Sequence, residues 1–363
     1  LRISPGIDTT GDGCAAFPAN TFSGAIAVVR RGTCNFTVKV GNAAAAGAVA
    51  IVIANNQAGT VIPSVPGATI PVFSLTQVDG NAIRDFGVAH PSNATAQLPY
   101  PPVGVPNAPD VLAGFSSRGP SGYELIKPDI AAPGVAILAA VSGTTLTGAE
   151  QAIDTYDGTS MASPHNAGAA LLVRQVRPDW TPMETRSALM MTATDQVYME
   201  DSVTPADPNN RGAGRIRVDR AVNAGLVLNE TKANFQAANP SNGGTTVGLN
   251  LPSLADTTCN PPSCSFTRTF RNTRTYGALW AVSVEGLTGT VPSLLWVPAG
   301  TSRSLTVSID ATALPADGNW HFGKLVLRER LSGNNVEPLS ELHLPVGVIR
   351  TIAFASQPFY PGV

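Results

Sequence analysis

The stretch that decides the reading is Gly158-Thr159-Ser160-Met161-Ala162-Ser163-Pro164-His165, which leaves a turn and runs into the apolar sequence Ala169-Ala170-Leu171-Leu172-Val173. A helix is expected from about Met161 to Val176, apolar nearly all round and so central to its domain rather than superficial. A serine at the start of that helix stands among backbone N–H groups with no intrahelical acceptor, at the positive end of the helix dipole. Negative charge developing on a nearby oxygen is stabilised there. Taken alone, the same spacing also suits a serine that merely caps the helix.

Upstream of this helix, Val111-Leu112-Ala113-Gly114-Phe115-Ser116-Ser117 and Val135-Ala136-Ile137-Leu138 are continuous apolar runs of the kind found in strands buried on both faces. Pro128 and Ala132-Pro133-Gly134 lie in the turn between them. Downstream, Thr181 is expected to cap a second helix, with Pro182 at its first position, Glu184 reaching back, and Met190 and Met191 near its end. Beyond about residue 229 the helical signal stops. Alternating stretches at Ser265 to Phe270, Ala278 to Val284 and Ser304 to Ile309 predict a β-sandwich there.

Residues from about 8 to 99 read as a small α/β unit. Strands are expected at Ala25 to Arg30, Ile51 to Ile53 and Ile70 to Leu75, with Ala-rich helical sequence between the first two. Thr76 is a fitting N-cap, three residues before Asp79, for a helix toward Phe86. The clustered prolines of Pro99 to Pro109 mark a boundary, because they disfavour both helices and ladders.

Composition narrows the function classes. A length of 363 residues predicts two or three domains, and 43% hydrophobic with 13% charged residues excludes a disordered chain. The net charge of −2 offers no basic field for phosphates, which argues against a nucleic-acid partner. The longest apolar run, Ala43 to Ala54, is shorter than the roughly 20 residues that span a bilayer, so no membrane role is expected. The four cysteines form two close pairs, Cys14 with Cys34 and Cys259 with Cys264. They suit disulfides in an oxidising compartment better than zinc, since no second Cys/His pair stands at finger spacing. The opening Leu1-Arg2-Ile3-Ser4 is neither a signal segment nor an initiator end, and suggests processing or truncation.

The helix-start motif is accompanied, in order, by Phe115-Ser116-Ser117-Arg118-Gly119-Pro120, Lys127-Pro128-Asp129-Ile130-Ala131-Ala132-Pro133-Gly134-Val135, Pro178-Asp179-Trp180-Thr181 and Arg211-Gly212-Ala213-Gly214-Arg215 with Asp219 and Ala221. Together they resemble the subtilases, the subtilisin-like serine proteases of peptidase family S8. Arg31-Gly32-Thr33-Cys34-Asn35-Phe36 through Lys39, Asn42-Ala43 and Ala46-Gly47-Ala48 resembles a protease-associated (PA) domain, a non-catalytic insert. Thr267 to Asn272, Val291 to Trp296 and Phe322 to Leu325 resemble the fibronectin-type-III-like domain that closes many large subtilases. The implied organisation is multidomain: a PA α/β domain over 1–100, the C-terminal part of an α/β subtilisin-like catalytic domain (parallel sheet with helices) over 101–228, and a fibronectin-III-like β-sandwich over 229–363.

The resemblance makes Ser160 the nucleophile of a secreted endopeptidase acting on protein or peptide substrates. Its base would be an imidazole held by an aspartate. His165 resembles the family's non-catalytic histidine, and His90, His321 and His343 stand in no sequence like the family's His-Gly-Thr-His helix. The triad aspartate and the oxyanion asparagine also lie upstream of the insert in this family, so Asp129, Asp154 and Asp157 inherit no catalytic role by motif. Losing triad members costs on the order of 10⁴ to 10⁶ in turnover, and losing an oxyanion donor about 10² to 10³ more, so this chain alone is expected to be nearly inert. Either an N-terminal part of the same protease, bearing the Asp, His and Asn, completes the site, or the piece is an inert binding scaffold. The first is favoured, because unsupported strands of a parallel sheet would expose apolar edges.

No cofactor is required for this chemistry; a structural calcium ion stays an open alternative, since no ligand loop is recognisable in the sequence to decide it. Asn166 stands where the family usually carries an apolar residue, and if buried needs polar partners. An esterase nucleophile elbow is excluded by Ala162 at the position that motif gives to glycine. Asn35, Asn93 and Asn229 begin N-glycosylation acceptor patterns that count only in a eukaryotic source.

Overall fold

The computed structural model describes residues 1–57, 59, 61–97, 108–144, 148, 152–331 and 339–351. All but the last two residues of the Pro99 to Pro109 boundary lie outside the described residues. The chain forms two compact units, one of Leu1–Ser116, Pro133–Ser163 and Tyr198–Thr204, the other of Ser117–Ala132, Pro164–Val197 and Pro205–Val363.

The first unit is built on a four-stranded all-parallel sheet, β1 (Arg2–Ile3), β2 (Ile26–Arg30), β3 (Ala50–Ala54) and β4 (Val72–Leu75), in that spatial order. Helix α1 (Phe36–Ala45) links β2 to β3, and α2 (Gln77–Ala89) follows β4. The period-two alternation of strands divides the apolar residues between two cores. Ala27, Val29, Ile51 and Ile53 pack with Phe22, Val40 and Ala43, whereas Val28 and Val52 pack with Ile7 and the partly buried Ile83. Every residue of β3 is buried, which is why that strand reads as an unbroken apolar run. Thr76 caps α2 as the sequence predicts, its hydroxyl accepting from the Asp79 N–H at 3.1 Å. Cys14 and Cys34 form a disulfide, beside which the fully buried Lys39 donates to the Asp12 carbonyl at 2.6 Å and pairs with its carboxylate at 3.2 Å.

The same unit contains an antiparallel pair, β5 (Ile137–Ala140) with β6 (Ile153–Tyr156), and the first turn of α3 (Thr159–Val176). Here the structure departs from the strand expectations. Val111 makes only an isolated parallel bridge to Tyr198, and Ala113 to Ser116 closes a turn through a 2.9 Å backbone bond. Ile137 and Leu138 pair antiparallel with β6, and Leu138 is 65% exposed rather than buried on both faces. These runs are held by an isolated bridge, a turn and an antiparallel pair rather than by a parallel sheet.

The second unit carries the rest of α3, then α4 (Pro182–Met191), α5 (Pro208–Arg211) and α6 (Val218–Ala221), followed by β7 (Leu226–Val227), α7 (Lys232–Ala237), β8 (Leu254–Asp256), β9 (Ser263–Asn272), β10 (Ala278–Glu285), β11 (Gly289–Thr290), β12 (Leu294–Val297), β13 (Ser302–Asp310), β14 (Trp320–Leu331) and β15 (Glu341–Ile349). The strands form a five-stranded sheet, β12-β10-β14-β15-β8, and a four-stranded sheet, β11-β13-β9-β7. Alternation in β9 buries Phe266 and Phe270, and these share one core with Trp280, Leu305, Leu325 and Leu344 of both sheets. Ala188, Leu189 and Met191 of α4 belong to that same core, so the helix is tied to the sheets by apolar burial. The capping box is present: Thr181 accepts from the Glu184 N–H at 3.1 Å, and the Glu184 carboxylate accepts from the Thr181 N–H at 2.8 Å. Cys259 and Cys264 form the second disulfide.

Candidate functional site

Helix α3 begins at Thr159, two residues before the expected start, which sets Ser160 in its first turn with the side chain exposed. Met161 and Ala162 N–H groups both donate to the Gly158 carbonyl, at 3.0 and 3.3 Å, and tighten the turn that presents Ser160. Pro164, inside the helix, has no N–H, so the Ser160 carbonyl lacks the usual i to i+4 donor.

The turn is clamped from the chain before β5. Gly158 N–H donates to the Gly134 carbonyl at 2.7 Å, and a Cβ on Gly134 would lie 2.8 Å from the Gly158 oxygen. Glycine is thus required in Ala132-Pro133-Gly134 for close approach rather than only for a turn. Next to it, Ala136 takes a left-handed φ of 53°, unusual for a non-glycine residue, and its N–H donates to Asp157 Oδ1 at 2.6 Å. Asp157 Oδ2 also accepts from the Ile62 N–H at 3.4 Å, and Ser64 Oγ donates to Asp154 Oδ2. These contacts were not legible in the sequence, because nothing local links residues 62 and 64 to 154 and 157.

In the second unit the remaining motifs hold one another. Ala213 N–H donates to Asp129 O at 3.0 Å, Ala131 N–H to Gly214 O at 2.8 Å, and Ile216 N–H to Ala131 O at 3.0 Å. Gly212, at φ 63°, approaches so closely that a Cβ would lie 2.4 Å from the Pro128 oxygen. Gly119 N–H donates to Asn209 O at 2.8 Å. Segments about 80 residues apart in sequence are therefore stitched together through backbone groups, which explains their glycines and small residues.

The other titratable residues singled out in the sequence are engaged elsewhere. Asp129 pairs with Lys127 and Arg186, both at 2.8 Å. His90 caps α2, its Nδ1 lying 2.9 Å from Phe86 O, and its ring stacks on Phe86. His321 Nε2 meets Asp317 at 3.0 Å. His343 Nε2 meets Ala213 O at 2.8 Å, and burial pushes this imidazole below its ordinary value. His165 is half-buried, five residues along the helix from Ser160, a separation that turns side chains roughly 140° apart. Asn166 is half-buried too, and its Oδ1 is shielded from solvent. The cysteines are committed to disulfides, which removes the zinc reading. Among the described residues no group of three or more His, Cys, Asp or Glu side chains converges as a metal site would require.

Helix α3 is not the enveloped spine that its composition predicts. Ala169 and Val173 are buried, yet Leu171 is 71% and Leu172 53% exposed, with Val176 exposed as well. A helix that is apolar all round buries one face here and leaves another to solvent.

The profile of the subtilase family (Peptidase S8) matches residues 23–221, more than half of the chain. The chain belongs to the subtilase family. This subtilase chain is 28% identical over 349 residues to the minor extracellular protease Vpr of Bacillus subtilis (strain 168), a match covering 96% of this chain and 39% of that protein. It is 31% identical over 324 residues to the subtilisin-like protease SBT1.7 of Arabidopsis thaliana, covering 77% of this chain and 42% of the relative. The chain therefore spans about two fifths of the length of these relatives. Among solved structures, the E. coli chaperone DraB aligns over 26% of this chain and 52% of its own at 18% identity and a TM-score of 0.23, a superposition too poor to define a common fold. No helix among the described residues is long and apolar enough to cross a membrane.

Proposed function

We propose that this subtilase chain is the C-terminal portion of a secreted serine endopeptidase in which Ser160 is the nucleophile. The observation that carries the reading is the exposed Ser160 in the first turn of α3, held by the Gly134–Gly158 clamp, in a chain whose family match runs through residue 221. Ser160 Oγ attacks the scissile carbonyl carbon and its proton passes to an imidazole, which then protonates the leaving amine. Water, deprotonated by the same imidazole, hydrolyses the acyl-enzyme. The Ser160 N–H, unpaired within the helix because it lies in the first turn, donates to the oxyanion.

The imidazole, its orienting aspartate and a second oxyanion donor, an asparagine, come from a part of the same protease N-terminal to Leu1. The exposed Leu171, Leu172 and Val176 and the exposed Leu138 and Ile153 support this, since such side chains are normally covered in a catalytic domain. The chemistry runs on these protein groups without a cofactor. Residues 1–100 form a PA domain and 229–363 a fibronectin-III-like β-sandwich that braces the catalytic portion, 101–228. The parallel sheet of β1 to β4 and the two sheets sharing one core are the features that support these two assignments. Secretion is supported by the two disulfides and by the extracellular relative from Bacillus subtilis.

The test is proteolysis of denatured casein by this chain co-produced with the preceding segment. Activity should appear only with both present and fall by about 10⁶ in Ser160→Ala. Activity that survives Ser160→Ala refutes the assignment, and no activity from the two together favours an inert binding scaffold.

A further inference from the structure

Beside the turn that presents Ser160 lies a cavity of about 130 Å³ that the catalytic reading does not use. Phe36, Val61, Ile62 and Tyr156 line it, with Arg31 and Asp157 among its polar groups. Its wall thus comes both from the α/β unit that begins the chain and from the end of β6, four residues before the nucleophile position.

We infer that this cavity is a specificity subsite that takes a valine- or leucine-sized side chain of the peptide substrate. The inference rests on the reading of Ser160 as nucleophile. Distance comes first. Asp157 stands three positions before Ser160, and a fully extended chain covers at most about 3.6 Å per residue, so their Cα atoms lie within roughly 11 Å. An extended substrate advances about 3.3 Å per residue. The cavity is therefore reached by a side chain within about three positions of the scissile bond.

Size and chemistry follow. An apolar cavity of about 150 Å³ accommodates benzene, so this slightly smaller one accepts a branched aliphatic group and refuses an indole. Its carboxylate is already occupied: Asp157 accepts from the Ala136 N–H at 2.6 Å and from the Ile62 N–H at 3.4 Å. Backbone amides leave the carboxylate's charge in place, but Arg31 and Asp157 oppose one another in the same lining, so a lysine or arginine side chain meets no net counter-charge there. Apolar burial is left as the selecting force. The segment bearing Val61 and Ile62 is fastened to β6 by the Ser64–Asp154 and Ile62–Asp157 hydrogen bonds, so the wall is set in place before substrate arrives.

The experiment uses the protease completed by its preceding segment, with active sites counted by phosphonate labelling of Ser160. Values of kcat/KM per active site are measured on peptides carrying Gly, Val, Leu, Trp or Lys at each of three positions on either side of the scissile bond. The parent should prefer Val or Leu over Trp and Lys by about tenfold or more at one position. Val61→Phe, which fills the cavity, should abolish that preference, and Ile62→Ala, which widens it, should shift it toward Trp. Ser160 labelled at the parental rate in both variants, with every preference unchanged, overturns the subsite while leaving the nucleophile in place. An unlabelled Ser160 in the parent overturns both.

Discussion

At the scale of single residues, Ser160 depends on a glycine 26 positions earlier. Gly134 and Gly158 meet through one hydrogen bond of 2.7 Å, and there is no room for a methyl group between them. Gly134→Ala should therefore displace the turn and slow reaction at Ser160 by about tenfold to a hundredfold, because small misplacements of a reacting group are costly. Labelling kinetics with a phosphonate probe check this, with a parental rate as the contrary result. Ser160 is singled out in the sequence by a contiguous motif whose companion motifs stand in the family's order, and the structure adds its exposed place in the first turn of α3. The clamp was only half legible. Ala132-Pro133-Gly134 announces a turn, but the partner of Gly134 lies across two strands, and no local pattern reports that Asp157 receives the Ala136 and Ile62 amides.

Among the elements, α4 was legible to the residue. Thr181, Pro182 and Glu184 spell its start, and both hydrogen bonds of the capping box form. Thr181→Ala should cost about 1 kcal/mol of stability, visible as a lowered denaturant midpoint with an unchanged slope. Glu184 also accepts from Arg271 Nε of β9 at 2.6 Å, a contact that crosses from helix to sheet and that sequence could not disclose. Strands β2, β3, β9 and β13 likewise follow from alternation or an unbroken apolar run, since burial on one face or two leaves a local signature. The runs at Val111 and Val135 carry the same signature without forming parallel strands. Apolar sequence specifies that a segment should be covered, whereas the identity of what pairs with it is a property of the neighbours. The exposed Leu171, Leu172 and Val176 of α3 have the same origin: the composition of the helix requires burial on more sides than the one face that Ala169 and Val173 bury.

Across the second unit, stability should depend on pH through a cluster that joins helix to sheet. Lys324 Nζ binds Asp195 at 2.8 Å, and His343 on the adjacent strand is buried near both, with Arg211 also in its field. Burial lowers the His343 imidazole, outweighing the Ala213 carbonyl and the Asp195 charge, so the folded chain takes up this proton at lower pH than the unfolded one. The unfolded chain, with an ordinary imidazole near 6.5, takes up the proton first. Stability from this group is thus present above about pH 6.5 and is lost as pH falls below it. Melting temperature should decline from about pH 8 to about pH 5, and His343→Gln should narrow that difference; an equal decline in parent and variant would assign it to other groups. The Asp195 carboxyl, which burial would raise, is held at about 2 chiefly by Lys324, so its contribution disappears only in stronger acid, between about pH 4 and pH 2.

Reaction at Ser160 depends, in this reading, on groups from outside this chain. Intact-mass analysis after treatment with a serine-directed phosphonate tests it most directly, on the chain alone and on the chain co-produced with the preceding segment. The isolated chain should carry no adduct, and the co-produced chain a single adduct that maps to Ser160. An adduct on the isolated chain, or one on another residue, or none when both parts are present, would contradict it.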